Sequence, residues 1–567
     1  MVDRPQREGD PWLALSVILL LGLWLRLWGL DFGLPNIYCR PDETILVHRA
    51  LAIASGGLNP HFFNYPSFQF YLLAIVYGIY FVVGYIGGQF SNVSEFEQLY
   101  FFDPSSFFLY GRLLTAFMGT ASIAVVYFIG RELQNPRTGL LAAFFVAFSF
   151  LHVRDSHFLT VDVPALFYGL LSILFALRFF RIRSWRGLVT GGIFLGLAVS
   201  TKYNLGLFAP VVVWSLFAST PAEKRFKYVL LLSGVVVAAF LCASPYIVLD
   251  FATFWRDLSF ERTHFAHGHG LDLGWGWLYH ARFSLPLGLG WPLFILSIVG
   301  LVDWAWRGTH TGRALLVGFL CYYGVSGSGK LVFMRYALPL IPLLCLAAAA
   351  LLEQLGRRFL PRGTVWAVAV IVVASTAYAS WQHSGLLAQT DTRVLAAKWI
   401  EEHVETGASV AICGVSDYDF IRLRRTSRQM KDELRQQRAA GLSARRLERQ
   451  LVYASNDVRP VYEVVELLLS DLSQRDQCSA SALVSRRIRW LVIHERDWRM
   501  GGGTSMYNPW RAVIGLESVQ RFDPFSVYRH IEPIYDAIDA FYLPVRGFGA
   551  ITRPGPRISI YNLGLGR

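Results

Sequence analysis

The sequence predicts a mostly helical, polytopic membrane protein followed by a water-exposed α/β domain. Three observations predict it. Hydrophobic residues fill 54% of the 567 positions and charged residues only 16%, too few to cover the surface of a soluble chain of this length. The apolar residues fall in blocks, such as Trp12 to Leu30, Val229 to Leu249, Leu331 to Leu352 and Val365 to Ala379, each near the length that crosses a hydrocarbon core. After Trp381 those blocks stop and strand-like runs begin.

Spans are expected near residues 12–30, 107–130, 139–151, 162–180, 186–201, 204–219, 227–248, 286–303, 314–328, 331–352 and 364–381, eleven in all. The first runs on through Arg26 and Trp28 without a small-residue cleavage site, so it reads as a retained anchor. The net charge of +13 does not point to nucleic acid, because much of the excess lies in the short loops Arg131 to Arg137, Arg178 to Arg186, Lys224 to Lys227, Arg307 to Arg313 and Arg357 to Arg362. Such loops are expected in the cytoplasm, which leaves the C-terminus outside. Phe68 to Gly88 is apolar enough to cross, yet a crossing there would put every later basic loop on the wrong side. It is expected to lie along the outer interface, with a twelfth span as the alternative.

The chain therefore divides into a membrane part, 1–382, whose first outer loop is 31–106, and an outward α/β domain, 383–567. The domain opens on the amphipathic stretch DTRVLAAKWIEEH and the strand-like run ASVAICGV, with further strand-like runs RIRWLVIH and RISIYNL. Between them, Arg422 to Arg449 is basic and helix-prone, which fits a solvated helix or contact with anionic lipid headgroups. Six cysteines stand singly with no CxxC pair, implying neither a zinc site nor a disulfide framework.

Charges left on the outer side carry the chemistry, because positive-inside bias does not explain them. The first outer loop holds RPDE, with Asp42 and Glu43, then NPHFFNYPS, with His61, Asn64 and Tyr65. Asp42 after Pro41 fits either a helix cap or a catalytic carboxylate. A second outer loop, HVRDSHFLTVDVP, adds Asp155, His157 and Asp162. Lys202 in STKYN, Lys330 and Arg335 in GKLVFMRYALPLIP, and Arg262 and Arg282 in the long loop before the eighth span could hold a phosphate or snorkel to headgroups. GVSGSGK, Gly324 to Lys330, has the GxxxxGK spacing, but Leu331 replaces the magnesium-holding hydroxyl and the run joins two spans. The loop with His264, His267, His269 and His280 fits a metal site or an interfacial flap.

At these residues the chain resembles the superfamily of protein O-mannosyltransferases and lipid A aminoarabinose transferases, glycosyltransferase family 39 and relatives, which have the GT-C membrane fold. The resemblance covers roughly residues 12–381 and rests on RPDE, NPHFFNYPS, GRLLTAFMGTASIAVVYFIGREL, HVRDSHFLTVDVP, STKYN and RYALPLIP. It implies transfer of a sugar from a polyprenyl-phosphate donor to a hydroxyl outside the cytoplasm, with Asp42 as catalytic carboxylate and Glu43 beside it. By the same resemblance Asp162 matches a second acidic position and Tyr336 a position that contacts the donor phosphate. Lys202, Arg335, Arg262 and His264 are placed at the phosphate by chemistry and loop position. His61, Asn64, Tyr65, Asp155 and His157 are candidate substrate contacts.

FFNYPS stands where aminoarabinose transferases carry an acidic and basic pair before two prolines, which argues against a lipid A substrate. RPDE also lacks the DxD by which oligosaccharyltransferase relatives hold a divalent metal, so no cofactor is expected to be required. The expected partners are the lipid-linked donor, a hydroxyl acceptor and membrane lipids, and the expected location is a bacterial or archaeal plasma membrane, with inversion at the anomeric carbon. The alternative is a transporter or flippase of phosphate-bearing lipid-linked sugars, which would place its ionisable residues nearer the bilayer midplane.

Overall fold

The structure is a computed structural model that describes residues 10–268, 272–359, 361, 363–454, 457–496, 516–526 and 532–564. Its contacts divide the chain into two compact units, one of Met1–Leu30, Ile45–Gly78 and Tyr110–Ser384, the other of Asp31–Thr44, Ile79–Leu109 and Gly385–Arg567.

The first unit is helical, as a chain in hydrocarbon must be if its backbone groups are to be satisfied internally. It begins with α1 (Pro11–Leu27), which Asp10 caps by accepting from the Trp12 N–H. Helices α2 (Pro41–Ala54) and α3 (Phe68–Ile86) follow, α4 (Val93–Phe102) lies in the second unit, and α5 (Ser105–Leu133) re-enters the first. Next come α6 (Pro136–Phe148), α7 (Phe150–Ser156), α8 (Asp162–Ile182), α9 (Trp185–Thr201), α10 (Ala209–Ser219) and α11 (Ala222–Ala243). The short α12 (Tyr246–Leu249) leads into α13 (Phe251–His267), and α14 (Gly276–Tyr279) and α15 (Leu285–Leu289) precede α16 (Trp291–Arg307). The unit closes with α17 (His310–Ser326), α18 (Leu340–Phe359) and α19 (Thr364–Leu387).

Helix α18 is the core of this unit, with every residue from Leu340 to Glu353 buried. It packs closely on α16 because position 300 is glycine; a Cβ there would lie 2.4 Å from the Ala347 carbonyl oxygen. Helix α11 is the opposite case: only 11% of its apolar window is buried, so it faces lipid.

Each of the eleven expected spans has a helical counterpart, with three departures. Among the described residues six helices are long and apolar enough to cross a membrane, or up to eight if each bent pair is one span. The span expected at 139–151 bends by 60° between α6 and α7. The one expected at 286–303 bends by 117° at Gly290, whose φ of +74° is left-handed. The span expected from 331 starts nine residues late, at Leu340: Leu331 to Phe333 is non-helical, Met334–Ala337 is a 3-10 turn, and Pro339, which has no N–H to give, stands just ahead of the first α-helical residue.

Helix α3 is one of the six helices long and apolar enough to cross a membrane, so the expected interfacial placement stands beside its twelfth-span alternative. Residues 31–44 and 79–109 pack in one unit with the C-terminal domain. The end of α3 holds Tyr80 against Phe90, Phe96 and Phe107, while Ile79, Val82, Val83, Tyr85 and Ile86 stay exposed.

The C-terminal part begins with α20 (Thr392–His403), capped by Asp391. It continues with β1 (Ser409–Gly414), α21 (Ser427–Ala439), α22 (Arg445–Ala454), β2 (Glu463–Leu468), β3 (Trp490–Glu495), β4 (Gln520–Phe522), a small pair β5 (Ile534–Tyr535) and β6 (Pro544–Arg546), and β7 (Arg557–Asn562). Five strands form one sheet in the order β2-β1-β3-β7-β4, parallel at β2, β1 and β3 and antiparallel at β7 and β4. Alternation sets its two faces. Val410 and Ile412 pack with Ala396 and Ile400 of α20, whereas Ala411 and Cys413 pack with Cys478 and Leu483.

On that second face Cys413 is disulfide-bonded to Cys478, 65 residues away, contrary to the expectation from isolated cysteines. Spacing alone carries no signal for such a pair. The basic stretch from Arg422 is two helices rather than one, and many of its charges are paired: Arg425 with Glu433 and Glu466, Arg438 with Glu448, and Arg449 with Glu97.

Two measurements follow from this architecture. Cysteines placed at Ser55 and Ser94, in a background lacking Cys242 and Cys321, should react with a membrane-impermeant maleimide from the same side; labelling from opposite sides would make α3 a span. Removing the disulfide by Cys478→Ser should cost the C-terminal domain about 4 kcal/mol by loop-closure entropy, read as a lower unfolding midpoint that reductant produces in the native chain.

Candidate active site

In the first unit, a polar cluster forms where three helix ends meet. Asp162 is the first residue of α8, where the unpaired N–H groups favour a carboxylate, and Lys202 follows the last turn of α9, with its backbone N–H donating to the Ala198 carbonyl. The Lys202 Nζ lies 2.5 Å from Asp162 Oδ1, with only 14% and 6% of the two side chains exposed. The same ammonium sits 4.9 Å from the centre of the Tyr336 ring. Tyr336 belongs to the 3-10 turn Met334–Ala337 in the extended stretch before α18. Its neighbour Arg335 is largely buried, with its guanidinium 4.5 Å over the Phe333 ring.

The structure thus brings together Asp162, Lys202 and Tyr336, which lie up to 174 positions apart in the chain (336 minus 162). Two further residues join them. Asn204 donates to the Tyr322 hydroxyl at 2.8 Å, and Tyr322, on α17, is within electrostatic reach of Asp162 and Tyr336. Asn204 stood two residues from Lys202 in STKYN, and Tyr322 is a polar-tipped residue inside an apolar span, where a hydroxyl must find a partner. Those were the signals available for them.

Beside this cluster the segment NPHFFNYPS is clamped to α13. Asp250, just ahead of α13, accepts from Asn59 at 2.8 Å and lies 3.2 Å from His61. Asp257 accepts from the Phe63 N–H at 2.8 Å, and Glu261 accepts from Asn64 at 2.6 Å. The hydrogen bond from Asn59 leads those that hold the Asp250 carboxyl below its ordinary range. Tyr203, next to Lys202, donates to the Phe63 carbonyl at 3.0 Å, so clamp and cluster share a strand of chain. His61 and Asn64 are therefore engaged with α13, while Tyr65 packs against Phe62 at 6.0 Å. Arg262 is exposed on α13, and His264 stacks on Phe260.

Asp155 and His157 are almost fully buried on and just after α7. Both ring nitrogens of His157 face backbone oxygens, of Val153 at 2.9 Å and Trp28 at 3.2 Å. Nearby, the fully buried Arg26 donates to the Gly22 and Ala147 carbonyls and meets His152 Nδ1 at 2.9 Å. In the sequence Arg26 only marked the first span as an anchor; in the structure it ties α1 to α6 and α7.

Of the histidine loop, His269 lies outside the described residues and His280 is buried with Nδ1 2.9 Å from Ser284 Oγ. Among the described residues no group of three or more His, Cys, Asp or Glu side chains could hold a metal ion. Gly324 to Lys330 finishes α17 and turns, with the carbonyls of Gly324 and Gly327 accepting from Trp277.

The second unit carries RPDE. Pro41 opens α2, so Asp42 lies inside the first turn rather than capping a helix that starts after it. Asp42 is partly exposed and Glu43 fully buried. The residues just before them are held by the C-terminal domain: the Asn36 side chain donates to the Phe420 carbonyl, the Arg422 guanidinium lies 3.9 Å over the Tyr38 ring, and Arg40 pairs with Asp539 at 2.8 Å. Burial, then the charges of Asp417 and Asp42, push the Tyr418 hydroxyl up.

Residues 107–248 match the family model described as dolichyl-phosphate-mannose-protein mannosyltransferase. The structure is similar to that of ArnT from Cupriavidus metallidurans bound to undecaprenyl phosphate, with a TM-score of 0.53 and 12% identity over 98% of each chain. The chain has the GT-C fold. The apo state of the same ArnT gives a TM-score of 0.50 at 12% identity, covering 90% of this chain and 95% of that one. The Archaeoglobus fulgidus oligosaccharyltransferase tethered to an acceptor peptide gives 0.49 at 13% identity, over 85% and 69%.

In a GT-C protein the Asp162 and Lys202 pair sits among membrane helices, where either charge alone is costly. Asp162→Asn and Lys202→Met should each destabilise the protein, and the double variant should cost less than the sum of the two, by about 0.5–3 kcal/mol. Thermal unfolding in detergent measures the difference; additive losses would mean the two groups do not interact.

Proposed function

We propose that this protein is a membrane glycosyltransferase that moves a sugar from a polyprenyl-phosphate donor to a hydroxyl acceptor on the extracytoplasmic side, with inversion. The observation that carries the reading is the meeting of Lys202, Tyr336 and Asp162 at helix ends in a GT-C fold, with Arg335 alongside. The match of residues 107–248 to mannosyltransferases supports sugar transfer, and the undecaprenyl phosphate bound to the similar ArnT supports a lipid-linked donor.

The chemistry follows from the residue types. A donor phosphate entering the cluster meets the Lys202 ammonium, and a Tyr and an Arg offer further donors. The acceptor oxygen attacks the anomeric carbon while Asp42 takes its proton; the bond from that carbon to the phosphate oxygen breaks, and the electron pair leaves with the phosphate. Lys202 and Arg335 stabilise the charge that grows there. A phosphate leaves without a proton, so one carboxylate suffices where glycoside hydrolysis usually uses two. Asp162 holds Lys202 in place and tempers its charge, so that the product phosphate can be released.

The disulfide supports the sidedness, because such bonds persist in oxidising compartments and are rare in the cytosol of most cells. It favours a C-terminal domain in the periplasm or exterior, the side on which the eleven expected crossings from a cytoplasmic N-terminus would also end. A bacterial or archaeal plasma membrane fits.

Purified protein in nanodiscs with radiolabelled polyprenyl-phosphate sugars should transfer label to a hydroxyl acceptor. Asp42→Asn should lower turnover about 10²–10⁴-fold while donor binding persists. Lys202→Ala should chiefly weaken donor binding. Movement of label across the bilayer without transfer would identify a flippase instead.

A further inference from the structure

We infer that, through Arg40 and Asp539, the C-terminal domain sets the position of the first turn of α2, and so of Asp42. This rests on the reading of Asp42 as the base. Arg40 stands two residues ahead of Asp42 and is 1% exposed. One guanidinium nitrogen donates to Asp539 Oδ2 at 3.0 Å, a second lies 2.8 Å from Oδ1, and the carboxylate is equally buried. The planar guanidinium set against both oxygens restrains orientation as well as distance, which a lysine would not do.

The clamp is braced on several sides. Phe541 lies under the Arg40 guanidinium at 4.5 Å and packs edge-on against Tyr418 at 6.3 Å. Arg393, itself paired with Asp391 at 2.7 Å, donates to the Tyr418 carbonyl at 2.6 Å. Arg422 covers Tyr38 and donates to the Asp417 carbonyl at 2.9 Å. Every one of these partners comes from beyond residue 385, and every one bears on residues 36–42 or their immediate supports.

Only Pro41 separates Arg40 from Asp42, and its ring fixes φ at the first helical position. A shift of the Arg40 backbone, once the buried guanidinium is released, therefore passes into the first turn of α2. Misplacing a reacting group by about 1 Å can cost about 10²-fold in rate. Arg40 and Asp539 are positioning residues, and Asp42 remains the group that touches substrate.

Full-length Asp539→Asn and Arg40→Gln in nanodiscs, with kcat normalised to molecules that bind donor, test the inference. Both should lose at least 10-fold in kcat with donor KM changed less than 2-fold, and Asp539→Glu, which keeps the charge but lengthens the arm, should fall between them and the native enzyme. If Asp539→Asn does not fold, Phe541→Leu, which loosens the brace without touching the charges, should lower kcat in the same way. Unchanged kcat per binding-competent molecule would overturn the inference, leaving the pair a structural contact. Asp42→Asn in parallel separates the two readings: if it keeps full turnover the base is misassigned, whereas a dead Asp42→Asn beside a fully active Asp539→Asn removes only the clamp.

Discussion

The cost of carrying charge and open backbone into a low-dielectric layer governs this molecule. It forces helices across the first unit, because only they satisfy their own N–H and C=O groups there. It also forces each buried charge into company: Lys202 sits on Asp162, and Arg26 is wrapped by carbonyls and His152. The helix ends are where the constraint relaxes. Asp162 at the start of α8, Lys202 past the end of α9 and Tyr336 in the non-helical stretch before α18 all lie at such ends. Chemistry gathers there because a charge can be both fixed and reachable.

That same constraint explains which parts of the structure were legible in the sequence. Apolar blocks report the cost of crossing directly, so a helix in each of the eleven expected places and the strand-like runs at Ser409, Trp490 and Arg557 could be read. Lys202 and Asp162 were readable as outer charges that topology did not require. Their direct pairing was not, because residues forty apart meet only through the packing of α8 on α9. Helix breaks were read poorly where the break is a matter of backbone freedom rather than polarity: α18 begins only after Pro339, and Gly290 bends the chain within an otherwise continuous apolar run.

Other features were invisible for a different reason. The disulfide joins Cys413 on β1 to Cys478, and nothing in the spacing of single cysteines tells which two strands or turns will share a sheet face. The Arg40 and Asp539 pair spans 499 positions. RPDE drew notice for its two carboxylates, while its arginine drew none. A buried ion-pair partner is a property of the tertiary structure alone, and composition cannot announce it.

A division of labour between the two units follows from where these residues fall. The cation and aromatic cluster belongs wholly to the first unit, so the proposed donor recognition is tied to the part of the chain that contacts lipid. Asp42 belongs with the C-terminal domain, through Arg40, Tyr38 and Asn36. The proposed base is thus held by a domain built on a sheet core that folds outside the hydrocarbon and is cross-linked by a disulfide. Asp539 lies in the turn between β5 and β6, and its buried pair with Arg40 holds the start of α2 more firmly than a solvated contact could, because water does not compete for it. In that arrangement the α/β domain would confer precision on the proposed reaction, and the membrane helices would confer selectivity for the proposed lipid-linked substrate.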